Sequence, residues 1–592
     1  MPRPPHPFAP VGLHVLRRTW KLLLPGEKKK AGVLFGAIAV NSLVELLGLA
    51  AVLPVVGMVM DPAAVDHTPF LRHAMQLART WGVERFSDVL LLLCGIMVFA
   101  FLAKAGWGLL VSRAQARFAF SVAHRISGVQ WDRYFRSTLE HTLSKDSGHL
   151  LAEINAYPFL FANSFLAGGL LVVSECAVLC LIAAAVLVFH PWVFLCIFLL
   201  MGAGSWLIRS MTQRKLSAFS ARRSVAEPAT NALISDAYRG ILELLTFRAG
   251  PAVRAAYLRE RKEVLDIGAS ASVIATVPAK LYEVLAVIAV AGAIGISLAF
   301  GPHHAAFVSL ISVLALSAYR VLPSISRISS AFVLMHGHAY VLDAIEHAPQ
   351  PSQMLDTPPP KQHLSTPIRI AMHNLTLGYA GSSQAVLKGL SWEFAPGEMH
   401  AIVGPSGAGK STLIRALLGL HAPQTGTIQL NSDNRLLELG TDLEVTDWLG
   451  SCAYVGQHPF FFRGTVAENL TLRVPGVEVN TTVVEALFRR LQMEECLRKD
   501  GLNFHLHEGA TNLSGGQQQR LALVRALQLR RPVLIVDEAT SALDDALRRV
   551  VADVLAEEAA RGATVLVVTH DMELAARCTT CLRLHGNTSD WN

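Results

Sequence analysis

The sequence predicts an α-helical six-span transmembrane domain followed by a soluble α/β domain. Hydrophobic residues make up 52% of the 592 residues and charged residues only 16%, whereas an ordinary soluble domain has about 25% charged residues. Six long apolar stretches come first, and a proline-rich stretch separates them from alternating strand-like and helix-like segments. We therefore expect a membrane domain over 1–347, a linker over 348–367 and an α/β domain over 368–592.

Six stretches are apolar and close to the length of a membrane-spanning helix, which needs about 20 mostly apolar residues. They are 32–60, 88–112, 164–189, 192–209, 281–301 and 305–325. Tight turns join the third stretch to the fourth and the fifth to the sixth. We expect these two turns on the outer side of the membrane.

The connections over 113–163 and 210–280 are long, polar and compatible with helices. Positions 209 to 262 carry eleven Lys and Arg residues, and the N-terminus is also basic. Positive charge favours the cytoplasmic side. A helix of about fifty residues is about 75 Å long, whereas the hydrocarbon core of a bilayer is about 30 Å thick. The second to fifth spans should therefore continue into the cytoplasm as helical hairpins. The expected tips lie near 137–146 and 246–257.

Four ionisable residues lie within apolar spans: Glu45, Lys104, Glu175 and Arg320. Charged groups at this depth usually face the interior of a helix bundle or a water-filled cavity, so these four are candidate cavity residues. A structural alternative stays open for each of them. The two basic residues can extend toward the cytoplasmic headgroups, and the two acids can pair with Lys104 or form a hydrogen bond to a neighbouring helix.

The α/β part contains "GPSGAGKS", Gly404 to Ser411, which matches G-x-x-x-x-G-K-[ST]. The motif follows an apolar strand at 400–403 and opens a helix at 411–420, which is the context that a phosphate-binding loop requires. Its backbone N–H groups can cradle phosphates. Lys410 would reach the β- and γ-phosphates of ATP, and the Ser411 hydroxyl would bind Mg²⁺. This motif predicts a P-loop nucleotide-binding domain with ATP and Mg²⁺ as ligands.

An acidic pair ends the strand in "VLIVDE". Asp537 suits the Mg²⁺ position, and Glu538 suits the residue that polarises the attacking water. We expect the nucleotide to contact Asp537 and the run Gly404, Pro405, Ser406, Gly407, Ala408, Gly409, Lys410, Ser411 and Thr412.

Between these two motifs stands "LSGGQQQR", Leu513 to Arg520. With the three motifs in this order, the sequence over 368–592 closely resembles the ATP-binding cassette (ABC) family. The resemblance implies that Tyr379 stacks on adenine, that Gln457 touches Mg²⁺ and that His570 contacts the γ-phosphate. It also implies three sets of functional residues. The catalytic residues are Glu538, His570 and Gln457, and the metal-binding residues are Ser411, Gln457 and Asp537. The signature residues are Leu513, Ser514, Gly515, Gly516 and Gln517.

The resemblance also implies a dimer. In this family the signature of one subunit completes the phosphate loop of the other, here through Ser514 and Gly516. The dimer-interface loop would be Ser541, Ala542, Leu543 and Asp544. We expect a homodimer with two hydrolytic sites, and pairing with a different half-transporter is the alternative.

Six spans, cytoplasmic hairpins and a C-terminal cassette resemble an exporter-type half-transporter. The implied activity is ATP hydrolysis coupled to alternating access, in the inner membrane of a bacterium, with the N-terminus and the ATPase domain in the cytoplasm. The segment around Glu45 and the stretch 315–328 resemble the lipid-linked oligosaccharide flippase and glycan-export branch. We therefore expect an amphipathic cargo, a lipid-linked oligosaccharide or a related glycan or lipid.

Other functions remain open at this stage. The chain could export a peptide or a drug-like lipophilic compound, or act as an ATP-gated regulator of another membrane protein. The net charge of +7 does not require nucleic acid, because in membrane proteins such an excess often lies in cytoplasmic loops. The partners we expect are a second half-transporter chain, the lipid bilayer and the cargo, and no nucleic acid.

Overall fold

The protein divides into two compact units. The computed structural model describes residues 11–50, 86–135, 147–189, 215, 218–300, 304–346, 364, 367–379, 384–432, 435–474, 476–494, 500–540 and 542–585. One unit comprises Met1–Tyr134 with Lys145–Pro349, and the other comprises Phe135–Ser144 with Gln350–Asn592. Each unit is described by itself below, and the predicted linker over 348–367 falls almost wholly outside the described residues.

The described part of the first unit is helical. Its helices are Val11–Lys21, Pro25–Ala50, Phe86–Phe135, Gly168–Phe189, 218–239, Ile241–Thr246, Gly250–Phe300, His304–Gly337 and Ala339–Glu346. Helix Gly168–Phe189 continues a run of short helices, Ser147–Leu151, Ala152–Ala156, Tyr157–Leu160 and Phe161–Ala167, of which the second and fourth are π-helical. The π-helix is rare and occurs mostly as short insertions in α-helices.

Two helices are much longer than a membrane span. Phe86–Phe135 has 50 residues and Gly250–Phe300 has 51, so each is about 75 Å long. Each helix is thus continuous well past the length of its predicted span. A turn at 247–249 separates Ile241–Thr246 from Gly250–Phe300, within the stretch 246–257 where the second hairpin tip is predicted.

Three helices in the described part of the chain are long and apolar enough to cross a membrane: Ser87–Tyr134, Ser147–Ala184 and Gly250–Leu285. A fourth candidate is the pair Val321–Gly337 and Ala339–Glu346, bent by 49° at its break. The predicted fourth span over 192–209 and the first hairpin tip over 137–146 lie outside the described residues.

The helices of the first unit pack around one apolar core. Helix Pro25–Ala50 contributes Ile38, and the π-helical segment Phe161–Ala167 contributes Phe161 and Phe165, all at most 1% exposed. Met335, near the end of helix His304–Gly337, packs into the same cluster. Helix Gly168–Phe189 therefore packs against both helix Pro25–Ala50 and helix His304–Gly337. This packing brings polar side chains of helices Gly168–Phe189 and His304–Gly337 into contact.

The second unit contains eleven described strands. They are β1 Ile368–Leu377, β2 Leu387–Phe394, β3 Met399–Val403, β4 Thr425–Ser432, β5 Arg435–Glu438, β6 Cys452–Val455, β7 Gly464–Thr465, β8 His505–Leu506, β9 Val533–Asp537, β10 Thr564–Val568 and β11 Thr580–Arg583. β3 and β9 coincide with the two strands predicted before the phosphate-binding motif and before the acidic pair.

A five-stranded parallel sheet forms the centre of this unit, in the order β11-β3-β10-β9-β6. An antiparallel sheet, ordered β2-β1-β4-β5, and the pair β7-β8 complete the described strands. In the parallel sheet, Val568 pairs with both Asp537 and Ile402. The carboxyl ends of β3, β9 and β10 therefore lie side by side, and ligands of open α/β sheets bind at such an edge.

Helices flank these sheets. They are Lys410–Leu417, Val445–Ser451, Val466–Thr471, Thr481–Arg490, Gly515–Leu527, Asp545–Ala560 and Met572–Ala576. The helix predicted over 411–420 is thus present but ends earlier, because Gly419 takes φ +73°, a left-handed conformation that commonly terminates helices.

Candidate nucleotide-hydrolysis site

The phosphate-binding loop joins β3 to helix Lys410–Leu417. Gly409 precedes this helix with φ +94°, and no side chain caps the helix N-terminus. A Cβ added to Gly409 would lie 2.9 Å from Val386 Cγ1, whereas one added to Gly407, with φ +82°, would meet nothing within 4 Å. The uncapped N–H groups of the first turn and the helix dipole suit this turn to a phosphate.

Lys410 is folded back over the loop that carries it. Its Nζ donates hydrogen bonds to the carbonyl oxygens of Gly404 at 2.7 Å and Pro405 at 3.2 Å. The residue is only 8% exposed. Its charge is therefore satisfied by carbonyl oxygens at the place where phosphate oxygens would bind.

Glu538 lies just beyond β9 with φ +49°. Its Oε2 accepts a hydrogen bond from Gln457 Nε2 at 2.8 Å, and its Oε1 lies 2.8 Å from His570 Nε2. The same Nε2 lies 3.1 Å from Lys410 Nζ. With Nε2 protonated, His570 donates to the carboxylate, and Lys410 then bonds only to the loop carbonyls. The fold thus brings the three predicted catalytic residues together beside the phosphate loop.

Asp537, the last residue of β9, has a partner that the sequence motifs did not reveal. Tyr454 on β6 donates its hydroxyl to Asp537 Oδ2 at 3.4 Å. Burial, together with the neighbouring Glu538, raises the pKa of Asp537, and the tyrosine hydrogen bond partly opposes this rise. Burial and the nearby Asp537 carboxylate raise the pKa of Tyr454 to about 12, so the phenol stays a donor at neutral pH.

Tyr379 lies next to the first turn of the phosphate-loop helix. Its hydroxyl is 3.2 Å from Thr412 Oγ1, and its ring meets His421 edge-on with centroids 5.6 Å apart. The residue is 40% exposed. An accessible aromatic ring in this position is compatible with the predicted stacking on adenine, which stays a prediction.

The signature segment caps its own helix. Ser514 Oγ accepts from Gln517 N while Ser514 N donates to Gln517 Oε1, a capping box that starts helix Gly515–Leu527. Gln519, a buried residue that the motifs did not single out, accepts a hydrogen bond from Ala542 N at 3.1 Å. A Cβ on Gly516 would lie 3.0 Å from Ala542 O.

These contacts place the predicted interface loop directly against the signature helix. Ser541 lies outside the described residues. Leu543 is buried, and Asp544 caps helix Asp545–Ala560 by accepting from Leu547 N. The loop is therefore held at both ends, by the signature helix and by the helix that follows.

The candidate cavity residues have different surroundings. Glu175 accepts hydrogen bonds from Arg327 and Ser324 on helix His304–Gly337, as expected for an acid bonded to a neighbouring helix. Asn41 Nδ2 donates to Glu45 Oε1 at 3.4 Å within one helix, and Lys104 Nζ lies 5.2 Å from the centroid of the Phe101 ring.

The side chain of Arg320 is not among those described. The sequence interpretation missed Arg327, although its spacing of three residues from Ser324 in an apolar helix was a usable signal.

Known proteins share this organisation. Residues 387–541 match the family model described as ABC transporter. The mycobactin import ATP-binding/permease protein IrtB of Mycobacterium tuberculosis is 38% identical over 205 residues, 34% of each chain. The ATP-dependent lipid A-core flippase of Xylella fastidiosa is 37% identical over 205 residues, 34% of this chain and 33% of the flippase. The aligned part thus spans about a third of the length of these relatives.

Two further comparisons bear on cargo and fold. The glutathione/L-cysteine transport system ATP-binding/permease protein CydD of Haemophilus influenzae is 33% identical over 215 residues, covering 36% of this chain and 35% of CydD. A bacterial Atm1-family ABC exporter with ATP bound superimposes with a TM-score of 0.74 at 20% identity, covering 95% of both chains. The chain therefore carries the nucleotide-binding module of ABC transporters and has the fold of an ABC exporter in which membrane and nucleotide-binding domains are fused.

Proposed function

We propose that this protein is an ATP-driven exporter or flippase that moves an amphipathic cargo out of the cytoplasmic leaflet by alternating access. The observation that carries the proposal is the cluster of Glu538, Gln457 and His570 beside the phosphate loop, in a chain with the fold of an ABC exporter. A carboxylate held between an amide and an imidazole next to a phosphate loop suits the positioning of a water for in-line attack.

The oxygen donors around the loop fit a bound Mg²⁺, which prefers carboxylate, hydroxyl and phosphate oxygens. Ser411, Asp537 and Gln457 would hold the ion, and when bound it neutralises charge on the β- and γ-phosphate oxygens. The buried position of Asp537 makes its ionised form costly, and a cation beside it would offset that cost.

Nucleotide binding requires two rearrangements of the contacts described above. Lys410 exchanges the carbonyl oxygens of Gly404 and Pro405 for phosphate oxygens. The second change concerns Glu538, because the predicted contacts of Gln457 with Mg²⁺ and of His570 with the γ-phosphate would compete with its two present partners. We propose that Gln457 turns toward the metal and that His570 turns toward the γ-phosphate, which leaves Glu538 as the base.

A second copy of the chain would contribute its signature segment to the nucleotide site. We propose a homodimer in which Ser514 and Gly516 of one subunit complete the phosphate loop of the other. The N-terminus of helix Gly515–Leu527 suits an anion from outside its own chain. The Ser514 side chain accepts from the N–H of Gln517. It therefore does not compete with an anion for the N–H groups of Gly515 and Gly516.

For the cargo, we propose a lipid-linked oligosaccharide or a related glycan or lipid. A relative named as a lipid A-core flippase supports a lipid cargo. Relatives named for mycobactin import and for glutathione or cysteine transport show that similarity of this extent occurs with other cargoes. Export of a peptide or a drug-like compound is the second candidate.

The test is ATP hydrolysis by the purified protein in liposomes, measured with and without a polyprenyl-linked glycan, phospholipids and peptides. We expect stimulation by the glycan lipid and loss of stimulated activity in Glu538→Gln. Stimulation by peptides alone would replace the proposed cargo by the second candidate. Absence of hydrolysis in the native protein under every condition would overturn the transport proposal itself.

A further inference from the structure

A polar cluster joins two helices of the membrane unit. Glu175 in helix Gly168–Phe189 is buried, with 4% of the residue exposed. Its Oε1 accepts a hydrogen bond from Arg327 Nη1 at 2.5 Å, and its Oε2 accepts one from Ser324 Oγ at 2.6 Å. Ser324 and Arg327 lie three residues apart in helix His304–Gly337 and therefore share one face of it. Both oxygens of the buried carboxylate thus have a donor.

The two charges of this pair differ in accessibility. The Glu175 side chain is 5% exposed, whereas the Arg327 side chain is 50% exposed. A guanidinium has five N–H donors in a rigid fork, and the contact to Glu175 uses Nη1. The buried carboxylate therefore fixes the orientation of a guanidinium that is still half accessible.

The depth of Arg327 in the membrane limits which ligands can reach its guanidinium. It lies just beyond the predicted sixth span, 305–325, at the end that enters the cytoplasm. An arginine facing lipid tails would be costly, and charges in such segments face a bundle interior or a water-filled path. Because its guanidinium contacts Glu175 inside the predicted third span, 164–189, we place this group within the cytoplasmic half of the bilayer rather than at the headgroups.

We propose that Arg327, oriented by its contact with Glu175, binds the phosphate group of an amphipathic cargo at the cytoplasmic end of the spans. The planar fork of arginine matches phosphate oxygens in bidentate geometry better than the point charge of a lysine. This inference rests on the proposed function only in taking the cargo to be amphipathic.

A purely structural ion pair makes a different prediction. If the pair only joins two helices, removing either charge disturbs the same packing, and both variants lose binding together. If Arg327 binds the anion, the two charges act in opposite directions. The amide oxygen of a glutamine at position 175 can still accept from Arg327 and keep its orientation, while the negative charge that repels a phosphate is gone. Glu175→Gln should therefore keep or strengthen binding, and Arg327→Gln should weaken it.

The experiment measures binding of hexadecyl phosphate to the full-length protein in phosphatidylcholine nanodiscs without nucleotide, with hexadecyl maltoside as the uncharged comparison. We expect Arg327→Gln to weaken hexadecyl phosphate binding by at least about tenfold and Arg327→Lys by a smaller factor. Ser330→Ala, the matched control in the same helix but outside the polar cluster, should stay within about twofold. Hexadecyl maltoside binding should be equal in all variants.

Arg327→Gln leaves a buried carboxylate without its counter-charge, which can prevent folding. The double variant Glu175→Gln with Arg327→Gln removes both charges, and we expect it to assemble normally and to bind hexadecyl phosphate as weakly as Arg327→Gln. Equal binding by the native protein and the double variant would overturn the inference. Loss of binding in Glu175→Gln with normal assembly would overturn it as well.

Competition with sodium pyrophosphate identifies the source of the phosphate, with the nucleotide sites saturated by a non-hydrolysable ATP analogue. If pyrophosphate fails to displace hexadecyl phosphate, the ligand of Arg327 is a lipid headgroup. If pyrophosphate displaces it at similar concentrations, the ligand is a free phosphate anion. Either result retains a phosphate site at Arg327. Because no ATP is hydrolysed, a negative result here leaves the transport proposal standing, and a failed transport assay leaves this binding result unchanged.

Discussion

The carboxylate of Glu538 accepts a hydrogen bond from Gln457 Nε2 at 2.8 Å. The two residues are 81 positions apart in the chain, and His570 contacts the other oxygen of the same carboxylate. Each oxygen of the carboxylate thus has one partner, which holds the base in position and still leaves lone pairs for a water. The predicted contacts of Gln457 with Mg²⁺ and of His570 with the γ-phosphate would compete with these two interactions.

Glu538→Gln tests the assignment of the base. The amide keeps the size of the side chain and loses the ability to accept a proton, so we expect ATP hydrolysis to fall by about 10² or more with little change in ATP affinity. Phosphate release and equilibrium nucleotide binding measure the two effects separately. The control is Glu485→Gln, at an exposed glutamate of helix Thr481–Arg490. Hydrolysis near the native rate in Glu538→Gln would assign the base elsewhere.

Tyr454→Phe tests the hydrogen bond to Asp537, the carboxylate proposed to bind Mg²⁺. The Tyr454 hydroxyl lowers the pKa of Asp537, so its removal raises that pKa further. Because Asp537 must be ionised to bind Mg²⁺, the acid limb of the pH–rate profile should move to higher pH. The Mg²⁺ concentration for half-maximal activity should rise about three- to tenfold.

Two readouts separate this effect from damage to the fold. Nucleotide binding without Mg²⁺ should be unchanged in Tyr454→Phe, since the hydroxyl that is removed donates to Asp537. An unshifted acid limb together with native Mg²⁺ dependence would mean that the hydroxyl does not position Asp537.

The sequence predicted the parts of the site that depend on local pattern. The phosphate loop, the strand that ends in Asp537 and the helix Gly515–Leu527 were all found from short motifs, because glycine spacing, apolar runs and helix caps act within a few residues. Tyr454 was not found, because it reaches Asp537 only through the pairing of parallel strands 83 residues apart.

The same limit applies to the membrane unit. Apolar length identified the long helices, and Glu175 stood out as an acid in an apolar span. The spacing of Ser324 and Arg327 could have marked a polar face of the last long helix, but not that Glu175 meets it, because Arg327 is 152 residues away and helix packing decides which of several basic residues it meets. The structure places Arg327 there rather than Lys104.

Gly409→Ala tests why the phosphate loop needs glycine. Gly409 has φ +94°, and the new Cβ would lie 2.9 Å from Val386 Cγ1 and 3.0 Å from Leu387 Cγ. Strain and overlap should together lower the free energy of unfolding by about 2–4 kcal/mol. Gly407→Ala is the matched comparison, because φ is +82° but the Cβ meets open space, so about 1–2 kcal/mol is expected.

Thermal or denaturant unfolding of the two variants measures the difference. A larger loss for Gly407→Ala than for Gly409→Ala would contradict the explanation by contact with Val386. Both variants should also bind ATP more weakly, since each changes the backbone that faces the phosphates.

Gln519→Leu tests whether the interface loop is held by the signature helix. Gln519 is 5% exposed, and its Oε1 accepts the N–H of Ala542. Leucine has a similar volume but leaves this N–H without its acceptor, which should cost about 1–3 kcal/mol. Because the loop is proposed to cross the dimer interface, ATP hydrolysis should fall more than ATP binding does. Gln519→Glu keeps an acceptor at this position and should retain most of the activity; equal losses in both variants would show that the hydrogen bond to Ala542 is not what matters there.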